Sequence, residues 1–211
     1  KVNLKSDKAI KLVLGNDKLG SSETTLAAAS RYGAVVGINA GGFADDNRGR
    51  RYPLDTTVMN GKYLNGFFPT NNDTAFIGLN KLIGGKFSSQ ADLDKLNPLM
   101  GTTFVPVLLK NGSKMSIPYQ WQNSPARAAR TVMANYKHDQ LLFLVTDGYD
   151  ESGNSGATLA ELQDKLQQLG AVDAYNLDGG GSTTLVWGGS VINRPSDGRM
   201  RPLATNFLFF K

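Results

Sequence analysis

Between residues 141 and 184 the chain spells out one structural unit: an apolar run from Leu141 to Thr146, an amphipathic segment from Thr158 to Leu169, and a second apolar run from Ala174 to Leu177. In Thr158-Leu-Ala-Glu161 the threonine hydroxyl accepts from the third helical N–H while the glutamate reaches back to the cap, which is a capping box. Leu159, Leu162, Leu166 and Leu169 follow at helical spacing and Gly170 ends the segment, so the helix presents one apolar stripe to a core. Strand, helix and strand read as a crossover connection. With the two strands parallel, their C-terminal ends reach one sheet edge and Asp147 and Asp178 become neighbours.

Short strand-like runs separated by Gly, Asn and Asp dominate the rest: 11–14, 34–38, 57–59, 74–79, 104–110, 131–134, 184–187 and 206–210. A second helix is expected over Ser22 to Tyr32, capped by Ser22 or Thr24. Asn71 to Asp73, Lys110 to Gly112 and Lys137 to Gln140 read as hairpin turns. There is no internal repeat and no long linker, and 40% hydrophobic residues suffice for one full core. The expectation is an α/β (α+β) fold: residues 1–211 as a single sheet-rich domain of mixed strands with about two main helices.

Several chemistries are excluded by residue type. The chain has no cysteine, and its single histidine, His138, lies in a polar turn, so disulfides, a thiol nucleophile, a histidine-based triad and a multi-histidine zinc site cannot be built. A net charge of +5 favours anionic partners, but the RNA-binding aromatic signatures are absent and the densest basic cluster is Arg48, Arg50 and Arg51, so no nucleic-acid partner is expected. No apolar stretch approaches the roughly 18 residues of a membrane span. The chain opens at Lys1 with neither an initiator Met nor a signal-like apolar region, as a processed or excised domain would.

Four segments remain that carry chemistry. Gly37-Ile-Asn-Ala-Gly-Gly-Phe43 ends a buried strand in Asn39, and Gly41 and Gly42 then allow a sharp turn or a close approach to a ligand; a turn in which Asn39 ties down backbone groups accounts for the same residues. Asn176-Leu-Asp-Gly-Gly-Gly-Ser-Thr-Thr184 places Asp178 at a strand end before Gly179, Gly180, Gly181 and Ser182, where successive N–H groups can form an anion-binding concavity; without a P-loop lysine it is no nucleotide motif. Arg130, at the start of a buried strand in Ala126-Arg-Ala-Ala-Arg-Thr131, needs an anionic partner, either a carboxylate such as Asp178 or a substrate phosphate. Asp147 ends its strand beside a polar loop, residues 150–158, that could bind substrate or, through Asp147, Asp150 and Asn154, calcium or another oxygen-liganded divalent cation, though the spacing is not that of an EF-hand. With His and Cys unavailable, acid–base or nucleophilic work falls to carboxylates, and Asp178 and Asp147 hold the strand-end positions.

Taken in order, Asn-x-Gly-Gly-Phe, Ala-Arg-Thr, Asp-Gly with a Ser-x-Gly-x-Thr loop, Asn-Leu-Asp-Gly-Gly-Gly-Ser and a late Arg-Pro resemble the phosphodiester glycosidases over roughly residues 33–210. The resemblance implies a site containing Asn39, Gly41, Gly42, Arg130, Thr131, Asp147, Ser155, Gly156, Thr158, Asn176, Asp178, Gly179, Gly180, Gly181, Ser182, Arg201, Pro202 and Asn206. Thr131-Val-Met-Ala and Pro202-Leu-Ala depart from the family pattern in apolar positions only. Arg194-Pro195 offers a second Arg-Pro, but Ala204 and Asn206 follow Arg201 at the family's spacing.

The reaction so implied is hydrolysis of the bond between a sugar and a phosphate in a glycan or wall polymer, by a secreted or cell-surface enzyme. Asp178 would be the reacting carboxylate, with Asp147 second and Arg130 holding the departing phosphate. Two rivals use the same residues: a module that binds phosphorylated polymers without turnover, and a phosphodiesterase that cuts P–O instead of C–O.

Overall fold

The computed structural model describes residues 1–69, 74–78, 81–122, 127–138, 140–148 and 155–211. In chain order the strands are β1 (Ile10–Leu14), β2 (Val36–Asn39), β3 (Phe43–Asp45), β4 (Arg51–Pro53), β5 (Val58–Met59), β6 (Lys62–Tyr63), β7 (Thr74–Gly78), β8 (Lys81–Gly85), β9 (Met100–Thr103), β10 (Val107–Lys110), β11 (Ser113–Lys114), β12 (Arg130–Asn135), β13 (Leu141–Thr146), β14 (Asp173–Asn176), β15 (Leu185–Trp187), β16 (Ser190–Val191) and β17 (Thr205–Phe209). Among the described residues four α-helices accompany them: α1 (Thr25–Tyr32), α2 (Gln90–Asp94), α3 (Tyr119–Gln122) and α4 (Leu159–Gln168). The expected sheet-rich α/β character with two main helices, α1 and α4, is what the structure shows.

Three five-stranded sheets, ordered β11-β10-β14-β12-β13, β1-β17-β2-β15-β16 and β6-β5-β9-β7-β8, share one core, and β3-β4 form a separate hairpin. Met133, Leu141 and Tyr175 enter that core from the first sheet, Leu12, Ile38 and Phe207 from the second, and Ile77, Leu82 and Met100 from the third. The outer faces are covered by helices. Leu159, Leu162 and Leu166 of α4 pack on Leu109, Val132 and Ala134; Ala28 and Ala29 of α1 pack on Val13, Val186 and Leu208; Leu93 of α2 packs on Val58 and Phe76.

Both predicted helix starts are formed by hydroxyl caps. Thr24, not Ser22, caps α1, accepting from Ala27 N–H at 3.2 Å, and Gly33 ends the helix with φ of +66°. Thr158 and Glu161 make the reciprocal box at α4, with bonds of 3.1 and 2.9 Å.

The pairings among the described residues are antiparallel, and this refines the crossover. Strands β13 and β14 are parallel to each other, but β12 runs between them, paired to both. Asp147 and Asp178 therefore leave the same sheet edge two strand spacings apart, roughly 9–10 Å, rather than side by side. Arg130 opens β12 at that edge, opposite Thr146.

The Lys110 to Gly112 turn is a two-residue hairpin, with Asn111 and Gly112 both at positive φ (50° and 77°). Tyr136 N–H donates to Gln140 at 2.8 Å across the predicted Lys137 to Gln140 turn, while Asn71 to Asp73 lie outside the described residues. Strands β8 and β9 had no sequence signal because glycine reads as a turn. Here Gly84 lies against the ring of Tyr175 and Gly101 against the ring of Phe76, at approaches that any Cβ would block.

Candidate active site

Asn39, at the end of β2, organises the region. Its Nδ2 donates to the Asp178 carbonyl at 2.6 Å, and its Oδ1 accepts from the Thr131 hydroxyl at 2.8 Å and from Thr184 N–H at 3.1 Å. The residue is 1% exposed, so these bonds join the first and second sheets from inside. Asn176 is likewise buried and donates to the Val105 carbonyl at 2.8 Å, and Asn206 accepts from the Thr25 hydroxyl at 2.7 Å. Gly42 donates to Thr103 at 3.1 Å, and it and Gly41 pack too closely on Phe104 and Thr102 to admit a side chain. Asn39 and Asn206, expected around the substrate, use their side-chain amides within the chain, whereas Asn176 keeps a buried Oδ1 without a partner among the described residues.

Asp178 follows β14 as a half-buried residue. It accepts from Gly179 N–H at 3.0 Å and from the Ser182 side chain. Desolvation pushes its pKa up to about 6, against the opposing pull of those two hydrogen bonds and the charge of Arg201. The glycine turn does not open into a free cradle of N–H groups, because Gly180 donates to Ala129 at 2.8 Å and Ser182 to Gly179 at 3.1 Å. The other groups that face the turn are side chains.

Arg201 supplies the first of them. Its Nε and Nη2 donate to Asp197 Oδ2 at 3.0 and 2.7 Å, and its Nη1 reaches Ser182 Oγ at 3.4 Å. The Asp197–Arg201 pair lies directly on Gly181, where a Cβ would overlap both groups. Beside it opens a cavity of about 450 Å³ lined by Arg51, Asp197, Arg199 and Arg201 with Met200 and Pro202. Arg51 is held there by the Pro202 carbonyl and by Asp45 at 3.3 Å, whereas Arg199 has no carboxylate partner among the described residues. With Arg51 matched by Asp45 and Arg201 by Asp197, the cavity keeps one positive charge in excess.

Asp197 and Arg199 carry no sequence signal, and Arg51 registered only as part of a basic cluster. Its place in the cavity lining and its long-range bond to Pro202 identify it with the site.

Arg130 opens β12. Strand alternation puts it on the face of Val132 and Ala134, towards α4; it is 3% exposed and its Nε donates to the Ala157 carbonyl at 3.2 Å. The positive charge that acts on Asp178 is that of Arg201.

Asp147 is exposed and its Oδ1 accepts from Arg194 N–H at 2.7 Å. It borders a second recess of about 250 Å³ together with Ser155, Arg194 and Ser196. Asp150 and Asn154, the other calcium candidates, lie outside the described residues, and among those described no three His, Cys, Asp or Glu cluster as ion ligands would.

The profile of the phosphodiester glycosidases matches residues 32–210, nearly the whole chain. The chain belongs to the phosphodiester glycosidase family. Within the family it is 40% identical over 70 residues to the mouse N-acetylglucosamine-1-phosphodiester alpha-N-acetylglucosaminidase and 39% identical over 70 residues to the human one. That segment is 33% of this chain and only 13% of either relative.

The phosphodiester glycosidase fold is seen in the catalytic domain of the zebrafish N-acetylglucosamine-1-phosphodiester alpha-N-acetylglucosaminidase, auto-inhibited by its pro-peptide. It superposes with a TM-score of 0.81 at 22% identity, covering 97% of this chain and 73% of that one. A structure from Burkholderia pseudomallei K96243, named "Putative exported protein", superposes with a TM-score of 0.72 at 15% identity, covering 99% and 72%.

Proposed function

We propose that this phosphodiester glycosidase hydrolyses the bond between the anomeric carbon and the phosphate oxygen of a sugar 1-phosphodiester, with Asp178 as general base and Arg201 and Arg199 as the phosphate-binding cations. One observation carries the reading: a carboxylate with its pKa raised to about 6 shares Ser182 with an arginine that opens onto a cationic cavity. A base is most effective when its pKa lies near the working pH. Water attacks the anomeric carbon and gives its proton to Asp178. The C–O bond breaks with its electron pair going to the phosphate oxygen, releasing the free sugar and a phosphate monoester. Phosphate leaves as a stabilised anion, so the arginines replace the acid that an ordinary glycosidase needs.

The names of the mouse and human relatives make N-acetylglucosamine 1-phosphodiesters the first substrates to test. A phosphorylated glycan or wall polymer outside the cell is the natural setting we assign, supported by the exported-protein name of one structural relative. No helix among the described residues is long and apolar enough to cross a membrane.

Hydrolysis in isotopically labelled water tests the bond cleaved. Label is expected in the sugar; label in the phosphate would assign a P–O phosphodiesterase, and binding without release a non-catalytic module. Asp178→Asn is expected to lower turnover at least about 100-fold, and the wild-type rate to rise with pH through about 6 as the base ionises. Turnover within tenfold of wild type would remove Asp178 from the reaction.

A further inference from the structure

The recess beside Asp147 differs in character from the arginine-lined cavity. Among the described residues its charged lining is one carboxylate, Asp147, and one guanidinium, Arg194. Asp147 spends Oδ1 on the Arg194 N–H at 2.7 Å, and its exposed side chain has a second oxygen with which to accept. On the same wall the Ser155 hydroxyl is shut off from solvent and has no hydrogen-bond partner among the described residues. A buried hydroxyl left in that condition bears its desolvation penalty uncompensated. At about 250 Å³ the recess is smaller than the roughly 300–1,000 Å³ of pockets for drug-sized ligands, and suits one small polar ring.

The two recesses are adjacent chambers. Ser196 borders one and Asp197 the other. Behind them stands a single residue, Ala129: its carbonyl accepts from Gly180 N–H at 2.8 Å, and its methyl backs Gly148, so closely that a Cβ on Gly148 would lie 3.2 Å away. A ligand lying in the Asp147 recess thus has the Arg201 cavity next to it.

We propose that the Asp147 recess is the sugar-binding subsite. One neutral sugar ring is held there, with one hydroxyl donating to the free oxygen of Asp147 and a second met by the Ser155 hydroxyl once its side chain rotates out of the wall. A carboxylate accepts only, so it selects hydroxyl donors and repels phosphate, which is left to the neighbouring cavity. Asp147 is then a specificity-determining residue and not a reacting one. This assignment rests on the sugar phosphodiester reading above.

The test compares wild type, Asp147→Asn and Ser155→Ala on the methyl phosphodiester of N-acetylglucosamine 1-phosphate and its 3-, 4- and 6-deoxy analogues. Each variant is expected to raise KM about tenfold on the parent. At least one deoxy analogue should be poor for wild type and no worse for the variant that lost its partner. A fall in kcat of more than about 100-fold with KM unchanged in Asp147→Asn would make Asp147 a reacting group and overturn the proposal. So would unchanged KM in both variants, which would mean that water or packing accounts for Ser155.

Calorimetric binding of methyl N-acetylglucosaminide to the same three proteins needs no turnover. Weaker binding to both variants supports the subsite even where no diester is cleaved, a result that would fail the reaction and not the subsite. Equal affinity for all three overturns it.

Discussion

The side-chain amide of Asn39 donates to the backbone carbonyl of Asp178 at 2.6 Å, joining the first glycine motif to the second across 139 positions of sequence. The same side chain accepts from Thr131 and Thr184, so a single buried residue sets the position of the candidate base. Asn39→Ala takes the partner from the Asp178 carbonyl and the Thr184 N–H, leaves the Thr131 hydroxyl only Thr183 at 3.4 Å, and is expected to cost about 2–4 kcal/mol in urea unfolding. An effect below about 1 kcal/mol would show that the three bonds are replaced by water.

Asp178 also makes stability depend on pH. Its folded pKa, about 6, lies above the ordinary 3.8. The folded state therefore binds more protons than the unfolded state between about pH 4 and 6, and stability falls as pH rises through that window. Asp178→Asn removes the ionised group and is expected to be more stable than wild type by about 1–3 kcal/mol at pH 8, with the difference closing near pH 4. Denaturant midpoints at the two pH values measure it; a difference that does not change with pH would place the ionisation elsewhere.

Gly181 is needed for space. Gly181→Ala drives a methyl group into the Asp197–Arg201 pair, and KM for the phosphodiester should rise at least about tenfold as Arg201 is displaced. Gly180→Ala, at φ of +57° with nothing within 4 Å of a Cβ, should instead cost on the order of 1–2 kcal/mol of backbone strain and displace no neighbour. Crystal structures of the two variants would show the pair moved only in the first.

Thr158→Ala removes the hydroxyl that caps α4 and should destabilise the fold by about 1 kcal/mol, with Thr158→Ser restoring most of the loss. Thermal unfolding of the three proteins checks this directly.

What was legible in the sequence was local. Strand β13 and the α4 capping box follow from residue type and spacing within one segment, and so does the Asn111-Gly112 hairpin. The Asn60-Gly61 turn carries the same signal, with φ of 51° and 72°, but strands β5 and β6 on either side of it are two residues long and show no alternation. Strands β8 and β9 are hidden by glycines whose purpose is to receive a ring from another part of the chain.

The site divides in the same way. Asp178 announces itself by ending a strand before three glycines, and Arg201 by its Arg-Pro motif. Arg130 has the right chemistry for phosphate, but the pleat of β12 turns it towards α4, and alternation cannot be phased until the neighbours of the strand are known.

The sequence by itself determined the local elements, the exclusion of histidine and cysteine chemistry, and the carboxylate that stands at the head of the glycine turn. The tertiary structure decided which charges surround that carboxylate. Arg51, Asp197, Arg199 and Arg201 come together only when the β3–β4 hairpin docks on the chain before β17, because electrostatic partnership depends on distance in space, and residues about 150 positions apart have none until the chain is folded.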